Sequence, residues 1–261
     1  MRWSALFLAG GKEKIPPLKM AFNGMLVCAG LVAVFWWSLA RVGVTFDFVF
    51  LSNFRIRLWD GFLMTVAIGA VSMVLSLLTG ALCAAGQGSR VLVFRYLSNF
   101  YVAFIRGTPL IMQIYLFFYI LGTAWGITSR FWAGVLILSV FEGAYIAEII
   151  RGSLLSIQES QLEAAQAVGF TGVQTLRFVI LPQLVARTLP ALTGQFASII
   201  KDSSLLSMIA VIELTQTMRE ISAVNFKLFE CYLFLGVLYL ALTLPVSFVS
   251  KRLERSFRYE D

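Results

Sequence analysis

Residues 153–183 read SLLSIQESQLEAAQAVGFTGVQTLRFVILPQ. This is a polar, helix-prone interlude between long apolar runs. Glu163 to Val168 predicts a helix, since Ala and Glu are strong helix formers. Gly169 then stands where a helix C-terminus favours a left-handed residue. Thr171, with Gln174 three residues on, fits a capping box that opens a second short helix. That second helix is expected over roughly 173–181, stopped by Pro182, because proline disfavours the α conformation of the residue before it. The product is a helix–turn–helix with a fixed bend, too polar to span a bilayer and too apolar for a slack linker. On spacing alone, an ordinary connector between membrane helices remains open.

The chain around it is built for lipid. Hydrophobic residues make up 59% of the 261 and charged residues 13%, and the mean hydropathy is +0.84. A soluble domain carries about 25% charged residues, so this composition leaves too little polar surface for water. The length is better spent on spanning helices of about 20 residues each. A net charge of +7 does not point to nucleic acid, because the basic residues sit at the ends of apolar runs and form no single patch. Cys28, Cys83 and Cys231 have no paired spacing, which gives neither a disulfide framework nor a metal cluster. The chain has no histidine, which excludes imidazole metal sites and histidine-based acid–base chemistry.

Six spans are expected. Before the first, residues 1–19 carry Arg2, Lys12, Lys14 and Lys19. No small-residue cleavage site follows the apolar run, so a retained signal anchor is favoured over a cleaved signal peptide. The spans are 20–40, with Trp36 and Trp37 at an interfacial belt, then 61–85, rich in small residues that permit close helix approach. Next come an amphipathic stretch from Tyr96 broken at Pro109 with a span over 110–121, then 131–150, 184–200 and 231–249. A short re-entrant or surface helix is expected near 204–217. With the N-terminus in the cytoplasm, Arg2, Lys12, Lys14, Lys19, Arg90, Arg95, Arg151, Arg177, Arg187, Lys251, Arg252, Arg255 and Arg258 lie inside. Arg41, Arg55, Arg57, Arg130, Lys201, Arg219 and Lys227 lie outside, and Arg106 falls within a span. That bias obeys the positive-inside rule and places 153–183 in the cytoplasm. Internal repeats of the kind found in inverted-repeat carriers are not seen.

No segment matches G-x-x-x-x-G-K-[ST]; the one Gly-Lys pair, Gly11-Lys12, continues into Glu13. The chain therefore lacks a phosphate-cradling loop, and a pump built on it would draw its energy from another subunit. Intramembrane ionisable groups are functional candidates by default. Glu142 either receives a substrate ammonium group or pairs with Arg106 or Lys201. Glu148 either pairs with Arg106 or Arg151 or serves as a gate. Phe117, Phe118 and Tyr119 read as a lipid-facing or packing stripe.

Glu163-Ala164-Ala165, Gly169 and Ile180-Leu181-Pro182 resemble the EAA loop of permeases of ATP-binding-cassette importers. Arg106-Gly107-Thr108-Pro109-Leu110, Ala144-Tyr145 with Glu148 and Arg151, Leu181-Pro182-Gln183 and Lys201-Asp202-Ser203-Ser204-Leu205 resemble the polar amino-acid subfamily, in its expected order. The likeness, HisM-like and glutamine- or glutamate-type, covers roughly residues 60–255. Ser160 departs from a usual Gly before Gln161, and Ser203 from a usual Thr. The resemblance implies an all-α integral membrane fold: a five-helix permease core plus one N-terminal helix, with a cytoplasmic helix–turn–helix coupling loop. It divides the chain into residues 1–58 (basic N-terminus, extra helix and connector), 59–255 (transporter domain) and 256–261 (cytoplasmic tail).

The same resemblance implies a non-catalytic subunit of a bacterial inner membrane, binding no cofactor itself. ATP and Mg belong to two separate ATPase chains. The other partners are a second permease chain, identical or paralogous, and an external amino-acid-binding protein. Gln161, Glu163, Ala164, Ala165, Gly169, Leu181 and Pro182 become candidate ATPase-coupling residues, with the two alanines keeping the docking face small. Arg106, Thr108, Glu142, Tyr145, Glu148, Lys201 and Asp202 become candidates for the substrate path or gate, with Lys201 and Asp202 as a local ion pair. A passive channel or ion-coupled carrier is the competing class, and an integral-membrane enzyme a third that lacks its residues.

Overall fold

The computed structural model describes residues 16–43 and 46–256. The expectations for Arg2, Lys12, Lys14, Arg258 and the tail beyond 256 lie outside them. The chain falls into two compact units, Met1–Val49 and Phe50–Asp261. The first contributes α1 (Pro17–Val42), which opens with Pro17 in its first turn and closes on Gly43 at φ 70°. Proline at a helix start and glycine past its end are the expected asymmetry. Large apolar side chains are exposed along the whole of α1, and the Arg41 guanidinium lies 5.4 Å from the centre of the Trp37 ring.

The second unit is a helical bundle. After a 3₁₀ turn (Val49–Phe54) come α2 (Arg55–Gln87), α3 (Leu92–Gly107), α4 (Leu110–Tyr115) continued by a π turn (Leu116–Gly122), and α5 (Arg130–Leu155). Then follow α6 (Glu159–Ala167), α7 (Gly172–Thr175) with a π turn (Leu176–Ile180), and α8 (Leu181–Asp202). A 3₁₀ turn (Ser203–Ile209), α9 (Leu214–Asn225) and α10 (Leu228–Ser256) complete it.

Helices α2 and α5 form the central pair, and small residues make their approach possible. Gly61, Thr65, Gly69, Ser72, Ser76 and Gly80 are the buried positions of α2, together with Ile68, Cys83 and Ala84. A Cβ on Gly80 would sit 2.6 Å from Ile146 Cγ2, and one on Gly143 would run into the Thr79 hydroxyl. Without a hydrophobic driving force between helices in lipid, such close packing and interhelical hydrogen bonds hold a bundle together. Both are present: Thr79 Oγ1 donates to Ser139 O at 3.2 Å, and Ser72 Oγ to Val135 O at 3.4 Å. One buried cluster gathers Ile68, Ile105, Ile114, Leu138, Phe141 and Leu206, and a second gathers Leu214, Met218, Ile221, Cys231 and Leu235.

Among the described residues, four helical stretches are long and apolar enough to cross a bilayer: Pro17–Arg41, Val49–Gln87, Arg130–Leu155 and Leu228–Leu253. The pair Leu92–Gly107 and Leu110–Gly122, bent by 112°, makes a fifth if taken as one broken span. The break falls where Pro109 predicts it. Thr108, forced out of the helical region by the following proline, has φ −124° and ψ 148°. The expected span at 184–200 is helical and long enough, but it does not reach the hydropathy of the others. Its Arg187, Thr188, Thr193 and Gln195 are tolerated because α10, α5 and α2 all pack against it.

Two expectations are corrected. The helix at 173–181 does not stop at Pro182: the backbone stays helical from Gly172 through Asp202. The π turn just before Pro182 widens the helix where the proline ring would clash and where its N–H is missing. The helix near 204–217 is instead a 3₁₀ turn ending in left-handed Ala210 (φ 55°). A new helix starts at Leu214, capped by buried Glu213, which accepts from Thr215 N at 2.7 Å, Gln216 N at 2.8 Å and the Tyr239 hydroxyl at 2.9 Å.

Gly80→Val tests the central pair. Overpacking of this kind costs about 1–3 kcal/mol, and the variant is expected to melt at lower temperature in detergent, while Val74→Ala on an exposed face of α2 leaves the melting temperature unchanged.

Candidate functional site

The stretch 153–183 forms a tight hairpin of short helices. Helix α6 ends in a Schellman motif: Gly169 N donates to Gln166 O at 2.9 Å and Phe170 N to Ala165 O at 3.0 Å. The turn requires the left-handed conformation that glycine adopts freely, and Gly169 has φ 82°. The capping box is complete. Gln174 N donates to Thr171 Oγ1 at 3.3 Å, and Thr171 N to Gln174 Oε1 at 2.8 Å. Ser160 lies within the first turn of α6 in ordinary helical conformation, so no glycine is needed there.

The candidate coupling residues divide by exposure. Glu163 and Ala164 face outward, as do Leu181 and Pro182, and Val168, Val173 and Phe178 are exposed apolar neighbours. Ala165 is 4% exposed. It is the buried position of α6, a helix that packs on the turns at Gly172–Thr175 and Leu176–Ile180. Gln161 is likewise engaged within the chain, accepting from Gln183 Nε2 at 2.6 Å. Gln183 Nε2 also donates to Val179 O at 3.0 Å, and Arg187 Nη1 donates to both the carbonyl and the hydroxyl of Ser156. Gln183 closes the Leu181-Pro182-Gln183 motif, whereas Arg187 escaped a reading by motif; their four-residue spacing after Pro182 places them on one helical face.

The candidate path residues form two clusters. In the first, Glu148 joins three helices. It pairs with Arg106 of α3 at 3.0 Å and with Arg151 of α5 at 2.7 Å, and it accepts from Gln87 of α2 at 3.5 Å. The Arg106 guanidinium also lies 5.4 Å from the centre of the Tyr145 ring. Thr108 sits at the proline break, which buried Gln113 closes by donating to Ile105 O at 2.8 Å and Thr108 Oγ1 at 2.7 Å. Gln113 carries no sequence signal beyond its place after the break.

Glu142 heads the second cluster, deep in the bundle and fully buried. It pairs with neither Arg106 nor Lys201. Gln195 Nε2 donates to its Oε2, the Asp202 carboxyl lies close enough to interact with it, and Oε1 accepts no hydrogen bond. Arg57 pairs with Glu220, and Glu148 with Arg106 and Arg151, but the expected Lys201–Asp202 pair is not formed. Consecutive residues of a helix point about 100° apart, and Asp202 turns toward Glu142 while Lys201 is exposed. No group of three metal-ligating side chains occurs among the described residues.

Comparison with known proteins agrees with this geometry. Residues 76–259 match the family described as "Binding-protein-dependent transport system inner membrane component". The chain is 33% identical over 224 residues to the "Probable glutamine ABC transporter permease protein GlnM" of Bacillus subtilis, covering 83% of this chain and 100% of that one. It is 36% identical over 201 residues to the "Glutamine transport system permease protein GlnP" of Escherichia coli, covering 76% and 92%. The fold superposes on a chain of a solved structure described as an amino acid ABC transporter with histidines, with a TM-score of 0.76 and 31% identity over 82% of this chain and 100% of that one. A methionine ABC transporter, MetNI, shares the fold at a TM-score of 0.63 and 20% identity, over 82% and 100%. The chain belongs to the binding-protein-dependent transport system inner membrane component family and is the membrane-spanning permease subunit of an ATP-driven importer.

Proposed function

We propose that the chain carries glutamine or a closely similar polar amino acid, and that 153–183 is the cytoplasmic hairpin through which a separate ATPase drives it. One observation carries the coupling reading: a rigid, capped hairpin outside the spanning helices that presents Glu163, Ala164, Leu181 and a rim of exposed apolar side chains. A passive channel or an ion-coupled carrier has no use for such a surface. The glutamine reading is supported by the relatives named for glutamine transport.

In this reading ATP and Mg bind two ATPase subunits, a second permease chain completes the pathway, and an external binding protein delivers the amino acid. Residues 59–255 form the transporter domain, residues 1–58 and 256–261 flank it, and both termini are cytoplasmic. Closure of the ATPases displaces the hairpins, and the bundle rocks between outward- and inward-open states, a rigid-body switch. Glu163 supplies the charged contact, Gly169 the bend, and Leu181 and Pro182 the apolar edge. Gln161 and Ala165 serve from inside the hairpin. In the bundle, Glu148 with Arg106, Tyr145 and Arg151 holds the broken helix against α5. Glu142 and Asp202 are the acidic groups placed to meet an amino acid's ammonium group, Thr108 lies at the break, and Lys201 stands outside this cluster.

Proteoliposomes holding this chain with its ATPase and binding protein are expected to accumulate labelled glutamine only when ATP is enclosed. Equal uptake with the ATPase omitted would contradict the importer reading. Gly169→Asp places a charged side chain at φ 82°, a conformation that glycine adopts freely and other residues adopt under strain. The variant is expected to be present in the membrane at normal abundance and to lose most ATP-dependent uptake; full uptake would remove the hairpin from the mechanism.

A further inference from the structure

We propose that Gln183 and Arg187 are positioning residues that make the hairpin a rigid extension of α8, so that the push of the ATPase is delivered to α8. The proposal rests on the coupling reading above and deepens it.

The two connections of the hairpin to the bundle differ in helical continuity. Toward α5 the helix ends at Leu155, and Ser156, Ile157 and Gln158 form a non-helical joint before α6 begins. Toward α8 the backbone is helical without interruption from Gly172 to Asp202, through the π turn and past Pro182 and Pro190. At 1.5 Å per residue such a rod is about 45 Å long, enough to reach across the bundle.

Two side chains on one face of that rod then grip the N-terminal approach to α6, where Ser156 caps the end of α5. Gln183 holds Gln161 inside α6, and Arg187 holds Ser156 in the joint just before it. The Gln183 amide is fixed in turn, since its second bond goes to Val179 O within the π turn. The remote end of the same rod carries Gln195 and Asp202, the two residues beside buried Glu142. A displacement of the hairpin is thus carried by one rigid element to the acidic cluster.

The test uses the full complex of this chain with its ATPase and binding protein in proteoliposomes, with labelled glutamine as the probe. Gln183→Ala with Arg187→Ala is expected to leave an assembled complex that hydrolyses ATP but moves at least about fivefold less glutamine per ATP, the factor that even one of the lost net hydrogen bonds represents. In a background with Cys28, Cys83 and Cys231 replaced by Ala, Gln161→Cys with Gln183→Cys is expected to show the same deficit. A short thiol-to-thiol linker joining the two cysteines should restore the yield, because it rebuilds the brace covalently. A merely structural role would not be rescued in this way. Unchanged yield in the Ala variant, or a linked pair that hydrolyses ATP without recovering uptake, overturns the brace. Wild-type vesicles measured alongside separate the two readings: a wild type silent with ATP overturns the importer reading and the brace together, while an active wild type with unaffected variants overturns the brace alone.

Discussion

A bilayer leaves no water for an unpaired backbone amide, so every break in a spanning helix must be repaired from within the protein. Most of the special features of this chain are such repairs. Pro109 opens the third spanning element, and buried Gln113 closes it by bonding to Ile105 O and Thr108. Glu213 caps α9 at a point where the chain reverses inside the bundle, and Thr65 of α2 accepts from Leu214 N at 3.1 Å beside it. Each repair also joins elements that would otherwise slide.

The same constraint bears on the segment proposed for coupling. Only outside the spans can the chain afford a loop as polar as 153–183, and there the hairpin is stabilised locally by its Schellman turn and capping box. What distinguishes it from an ordinary connector is its stiffness and its contact with α8. Polar groups at membrane depth are similarly organised: Glu148 ties α2, α3 and α5 at one level, and Glu142 meets α8 at another.

The architecture was largely legible because its signals are local. Apolar runs mark the spans, Gly169 and the Thr171–Gln174 pair mark the turn, and Pro109 marks the break. Pro182 misled for an equally local reason: proline ends an α-helix unless the preceding turn widens, and the π turn has no composition of its own. The partners of ionisable groups were not legible, since they depend on which helices meet. Glu148 found the arginines expected of it because one of them lies three residues away. Glu142 instead found Gln195 and Asp202, brought from far along the chain by the packing of α5 on α8. Ala165, read as part of a docking face, is buried because the hairpin folds back on it, a tertiary fact that helix propensity does not contain.

The sidedness of the hairpin bears most directly on the account. Val168 is an exposed residue beside the turn, so Val168→Cys, with Cys28 replaced by Ala, reports where the turn lies. A membrane-impermeant maleimide is expected to label it in inside-out vesicles and not in intact spheroplasts. Labelling from the outside of the cell would put the hairpin beyond the reach of any ATPase and contradict the central claim.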